Sequence, residues 1–255
     1  MTKLDIDAFL QYLAQDKGCS QNTLAAYRND LTQMTAFIAA EQAKGIIGRY
    51  DELLKGYLLK LREKRYSVAT TARKVASAKS FFKFMVDSQR MKENPTQNLP
   101  SPRVSKHSLG FLSPSEFQRL LAEATALSTP EAKRDAMMLE LLYATGLRIS
   151  ELVSLNVKNI DLEQNCVNVN SKRQVPFDHR LNPILGSFLR NDRLDLLYYE
   201  NEQALFLNRR GKRLTRQGFW QIIKGYASKA GLGNKVTPQI LRHSFARQKL
   251  QKRKI

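Results

Sequence analysis

The chain has 255 residues, 42% of them apolar, and carries 42 Lys and Arg against 23 Asp and Glu, a formal net charge of +19. That length suits one large domain or two smaller ones with a buried core, and the charge favours polyanionic partners. Two distant cysteines, Cys19 and Cys166, and three scattered histidines lack the spacing of a disulfide framework or a zinc site. No apolar run approaches the length of a membrane span and no secretory signal opens the chain, so a cytoplasmic protein without a membrane partner is expected.

The first hundred residues read as four helices joined by short loops. One covers Asp5 to Ala14. A second follows the polar start Ser20-Gln21-Asn22-Thr23, with Leu24, Tyr27, Leu31, Met34 and Ile38 recurring at three- and four-residue steps. A third lies around Asp51 to Lys64. The fourth begins near Ser67 with an apolar stripe of Val75, Ala78, Phe82 and Met85, and Arg73, Lys74, Lys79 and Lys83 are assigned to its other faces. Residues 93–107 break the pattern with Pro95, Pro100 and Pro102 and read as a linker. The boundaries drawn are therefore 1–92, 93–107 and 108–255.

Beyond the linker, Ser113-Pro114-Ser115-Glu116 has the order of a capping box with proline at the first helical position. Another helix begins after Thr129-Pro130 and stops at Gly146, and a short one runs from Ile149 to Leu155. The period then shortens. Cys166 to Asn170 alternates as a strand, Gln174 to Phe177 is its hairpin partner, and Ser171-Lys172-Arg173 forms the turn. Ala204 to Leu207 reads as a further strand. Thr215 caps a helix closed by Gly231, and Thr237-Pro238 opens the last one. The expected fold is mostly α: a helical bundle, then an α-rich domain with a small antiparallel sheet.

Two strings carry candidate chemistry. Tyr143-Ala144-Thr145-Gly146-Leu147-Arg148-Ile149-Ser150-Glu151-Leu152 and Thr237-Pro238-Gln239-Ile240-Leu241-Arg242-His243-Ser244-Phe245 each set one arginine at the edge of an apolar helix, 94 positions apart. A planar guanidinium grips a pair of phosphate oxygens, and two converging forks would clamp one phosphate. Further basic residues suited to a nucleic-acid backbone are Arg28, Arg73, Lys74 and Lys79 in the first domain. In the second they are Arg209, Arg210, Lys212, Arg213 and Arg216, around a turn and a helix start whose free N–H groups favour phosphate.

These strings resemble the two arginine motifs of the tyrosine recombinases, a branch of the phage integrase family, and most nearly its Xer-type members. The likeness extends to Asn22-Thr23-Leu24, Tyr27-Arg28 and Asp30-Leu31, to the linker prolines, and to Leu214 through Trp220. It implies a SAM-like, core-binding N-terminal bundle and a catalytic-type domain closing as a clamp around double-stranded DNA. Such enzymes need no metal or nucleotide, because a phosphotyrosyl link conserves the bond energy, and they assemble with further recombinase subunits as tetramers. By this resemblance Arg148 and Arg242 are the phosphate-binding arginines, and Glu151 is the carboxylate that orients the first. Lys172 falls at one of two hairpin lysine positions that this short hairpin does not separate.

Two departures bear on activity. The family's second motif is His-x-x-Arg, and Gln239 occupies the histidine position; an amide donates a hydrogen bond but does not carry a proton through acid–base chemistry. No tyrosine follows Arg242, so the domain reads as incomplete at its C-terminus and without the nucleophile. The expectation is a DNA-binding homologue unable to cleave and rejoin DNA as written. The alternatives are an active recombinase or integrase whose nucleophile segment is missing from this chain, and a basic DNA-binding regulator.

Overall fold

The structure, a computed structural model, describes residues 3–45, 48–103, 110–170 and 173–244. The chain divides into two compact units, 1–107 and 108–255.

The first unit holds four helices: α1 (Lys3–Gln15), α2 (Gln21–Ala43), α3 (Tyr50–Glu63) and α4 (Val68–Asp87). Ser20 and Ser67 cap α2 and α4, each accepting a hydrogen bond from the backbone N–H three residues on, as their positions predict. Each helix turns one apolar stripe inward. Phe9 and Leu13 of α1 meet Leu31 and Met34 of α2, Leu54 and Leu58 of α3, and Phe81 and Phe82 of α4. The Phe9 ring meets the Phe81 ring edge to face at 5.5 Å.

The second unit begins with α5 (Pro114–Thr125). Ser113 accepts from the Glu116 N–H while the Glu116 carboxylate accepts from the Ser113 N–H, the reciprocal cap expected there. Then come α6 (Pro130–Thr145), α7 (Ile149–Ser154), β1 (Ile160–Asp161), β2 (Cys166–Asn170) and β3 (Arg173–Pro176). The strands form an antiparallel sheet in the order β1-β2-β3, with Val167 opposite both Ile160 and Val175. Val167 is fully buried, so the middle strand seats the sheet on the helical core. Next are α8 (Asn182–Ser187), a π-helical turn (Phe188–Asp192), α9 (Arg216–Lys229) and α10, helical over residues 238–244. Leu120, Met138, Leu141, Leu152, Phe206, Phe219 and Ile223 make the core.

Three sequence expectations change. Arg173 opens β3 and does not belong to the turn, while Ser171 and Lys172 lie outside the described residues. Residues 204–207 form no regular strand. All four are buried, and they pair only through single bridges, Asn156 with Ala204 and Leu207 with Arg213. Residues 179–196, unassigned from sequence, coil into short helical pieces that bury Leu181, Leu185 and Phe188.

Candidate nucleic-acid interface

Arg148 stands where two helices meet. The apolar run of α6 ends at Gly146, whose φ of +64° is the left-handed cap that a side chain disfavours. Leu147 then plunges into the core, and the extended backbone of Arg148 turns its side chain outward, 58% exposed. Glu151, at the third position of α7, holds it twice. One carboxylate oxygen, Oε2, accepts from the Arg148 backbone N–H at 2.7 Å, and the other, Oε1, accepts from Arg148 Nη1 at 3.0 Å. Oε1 also accepts from Arg173 Nη1 at 2.8 Å. Partial burial disfavours the Glu151 charge, but these donors outweigh it, so its pKa lies below the ordinary glutamate value. One anion thus shares two guanidinium groups, and the trio keeps a net positive charge.

Arg242 lies on α10. Thr237 caps this helix, accepting from the Ile240 N–H at 3.1 Å, and Pro238 occupies its first position. Leu241 anchors it in the core. Ser244, buried, donates to the Ile240 carbonyl at 2.7 Å and accepts from the Leu112 N–H at 2.8 Å, which fixes the helix against the start of the unit. Arg242 is half-buried and pairs with no acid among the described residues. Gln239, three residues earlier and so on a neighbouring part of the same face, is exposed, as is His243.

The remaining basic residues divide by what they touch. Arg210, Lys212 and Arg216 are exposed, Arg216 in the first turn of α9 behind the Thr215 cap. Arg28 is exposed and bonded to Asp7 at 2.6 Å. Lys79 is half-buried. Arg73, about half exposed, is bonded to Asp30.

Two residues assigned from sequence to a DNA-facing surface are corrected by the structure. The Lys74 side chain is 2% exposed, and its ammonium donates to Asp30 at 3.0 Å and Gln33 at 2.7 Å. It is a buried partner of Asp30, which also accepts from Ser77. Arg213 turns inward, donating to the carbonyls of Val153 and Leu155 and to the Asn156 side chain, and so ties the 204–213 segment to the end of α7. Arg209 pairs with Glu131 at 3.0 Å, in the first turn of α6. At 1.5 Å per residue α6 is about 24 Å long. The turn at residues 208–212 therefore sits near the opposite end of α6 from Arg148, and within the basic run from Arg209 to Arg216 the Arg213 side chain faces inward.

From the sequence, Arg173 reads as a turn residue and Ser244 has no role of its own. The available signals were a basic residue beginning a β-run and a hydroxyl three residues beyond an apolar anchor. Both are weak without the partner in view.

Residues 110–253 match the phage integrase family, and residues 6–89 match the phage integrase N-terminal SAM-like domain. The chain belongs to the phage integrase family. Within it this tyrosine recombinase is of the Xer type. It is 42% identical over 247 residues to tyrosine recombinase XerC of Roseiflexus sp. (strain RS-1), covering 94% of this chain and 79% of that one. It is 37% identical over 259 residues to tyrosine recombinase XerD of Oceanobacillus iheyensis, covering 98% and 86%. The Tn1549 transposon integrase, solved in complex with circular intermediate DNA, shares the fold with a TM-score of 0.71 at 18% identity over 97% of this recombinase and 87% of that chain.

Proposed function

We propose that this chain grips the phosphates of duplex DNA through Arg148 and Arg242, and that it does not itself cleave the strand. The observation that carries the first half is the Glu151 arrangement: an exposed guanidinium is held in place by a carboxylate that a second guanidinium partly neutralises. Such a fork is preorganised for an anion and gives up little freedom on binding. The exposed Arg28, Arg210, Lys212 and Arg216, with Arg73 and Lys79, supply the longer-range attraction of a strongly basic surface. Lys172 enters the proposal only through the resemblance to the family's hairpin lysine, because it lies outside the described residues. The DNA complex of a solved protein of the same fold supports DNA as the polyanion, and a lambda integrase of the same fold, solved as a dimer on a core site, supports a second recombinase subunit as the proposed partner. Kinship to Xer-type recombinases supports the cytoplasm as the compartment proposed for the chain.

The second half rests on Gln239 and on the engagement of Tyr226 and Tyr143. Glutamine at the histidine position stabilises charge by hydrogen bonding but offers no proton to the chemistry. Tyr226 is engaged as a donor to Asp135 at 3.0 Å, and burial, with Asp135 adding to it, pushes its phenol pKa well up, away from an active phenolate. Tyr143 lies stacked on Phe117 at 3.6 Å.

The test is a nicked duplex carrying a Xer-type site, incubated with the chain and run on native and denaturing gels. We expect a complex whose affinity falls about a thousandfold between 50 and 200 mM salt, as about six phosphate contacts require, and no covalent adduct. An adduct surviving denaturation removes the second half of the reading. Absent or salt-insensitive binding removes the first.

A further inference from the structure

We infer that Arg173 is a positioning residue for Arg148, acting through Glu151 to keep the phosphate fork charged and aimed. This rests on the phosphate-gripping reading above and assigns a role to a residue that neither arginine motif contains.

One oxygen atom joins the two guanidinium groups. Oε1 of Glu151 accepts from Arg148 Nη1 at 3.0 Å and from Arg173 Nη1 at 2.8 Å. Those two nitrogens are therefore at most about 6 Å apart, closer than like charges would settle without the anion between them. A carboxylate facing Arg148 alone would neutralise it one to one, and an incoming phosphate would have to displace it. With Arg173 sharing the oxygen, one negative charge serves two positive ones, and the surplus lies on the exposed side. Arg148 is 58% exposed, Arg173 38% and Glu151 18%, so the cations face solvent in front of the anion. Each guanidinium has five N–H donors and gives one side-chain bond to Glu151, which leaves donors for a ligand.

The fold's topology ties the same residues together. Arg173 is the first residue of β3, opposite Asn170 of β2, just past an irregularity in the ladder at Asn168–Asn170. Its bond to Glu151 joins the end of the hairpin to the N-terminus of α7. The carboxylate that aims Arg148 thus also fixes where the hairpin ends, so the two parts of the proposed site move as one.

The prediction is a coupling between residues 173 and 148. Duplex DNA binding is measured at fixed salt by fluorescence anisotropy for the intact chain, Arg173→Gln, Arg173→Lys, Arg148→Ala and the Arg148→Ala/Arg173→Gln double variant. Arg180→Gln removes an equal charge from an exposed arginine bonded to Asp178 and serves as the control for bulk charge. We expect Arg173→Gln to weaken binding about tenfold beyond Arg180→Gln in the presence of Arg148, but less than about threefold when Arg148 is already alanine. Arg173→Lys, which keeps the charge beside Glu151, should stay within about threefold of the intact chain. Should glutamine at 173 lower the melting midpoint, the lysine variant carries the test, and a tenfold loss there overturns the inference. Equal losses with and without Arg148 would make Arg173 an independent contact and overturn the positioning role, as would a loss no larger than that of Arg180→Gln. If the intact chain binds DNA but Arg148→Ala binds equally well, the phosphate-gripping reading itself fails.

Discussion

At the scale of single residues, charge sign alone says little about where a side chain goes. Lys74 and Lys79 are alike in composition, yet one is buried against Asp30 and the other is half-buried with no carboxylate on it among the described residues. The distinction was present in the spacing. Lys74 precedes Ala78, Phe81 and Met85 by four, seven and eleven positions, and Asp30 precedes Met34 and Ile38 by four and eight. Both charges therefore fall on apolar stripes, and opposite charges on two inward faces of neighbouring helices are a buried pair waiting to be matched. Glu151 was legible as an orienting carboxylate, but its second cation was not, because a contact across 22 positions leaves no local trace. Glu116 makes a residue-scale prediction. Its hydrogen bonds from Lys235 and from the Ser113 backbone hold its pKa at about 2, against the ordinary 4.5. A depressed folded-state value means the stabilisation is complete above pH 4.5 and is lost as the pH falls toward 2. The melting midpoint of Glu116→Gln should lie below that of the intact chain at pH 7 by an amount corresponding to about 0.5–1 kcal/mol. The gap should narrow steadily as the pH falls from 4.5 toward 2, and a gap unchanged with pH would refute the assignment.

At the scale of elements, the long helices were readable because periodicity and capping agreed. Ser20, Ser67, Ser113, Thr129 and Thr215 all accept the backbone bond their positions predict. The failures share a cause. Residues 179–196 are helical only in pieces of three to six residues, too short for a stripe to declare itself, and residues 204–207 are buried on every side, so burial removes the alternation that marks a strand. The α2–α4 contact rests on more than apolar packing. Asp30 reaches from α2 to Arg73, Lys74 and Ser77 of α4, and its side chain is 1% exposed. Truncating it leaves the Lys74 ammonium buried with Gln33 as its hydrogen-bond partner. Asp30→Ala should cost about 3–5 kcal/mol in chemical denaturation, far more than the exposed pair of Arg28 with Asp7, whose loss should cost under about 1 kcal/mol. Similar losses for the two would mean the network is not the latch between these helices.

At the scale of the whole molecule, the net charge is +7 over residues 1–105 and +12 over residues 106–255, so both units take part in the proposed attraction to DNA. No helix among the described residues is long and apolar enough to cross a membrane. The two arginine motifs identified the family, whereas the division of the second unit's basic residues between an outward and an inward set emerged only from the hydrogen bonds of Arg213 and the ion pair of Arg209. The Ser244 hydroxyl has a reach that its size conceals. By accepting from Leu112, 132 positions earlier, it closes the second unit into a ring, with the segment that opens the unit latched to the helix that presents Arg242. Leu112 therefore becomes a remote gauge of that helix. Its amide should exchange with deuterium slowly in the intact chain and at least tenfold faster in Ser244→Ala, since the buried N–H loses its acceptor at a cost of about 1–3 kcal/mol. Any binding event that steadies Arg242 should slow the same amide, so occupancy of the proposed phosphate site becomes measurable at a residue far from Arg242 in sequence but bonded to its helix.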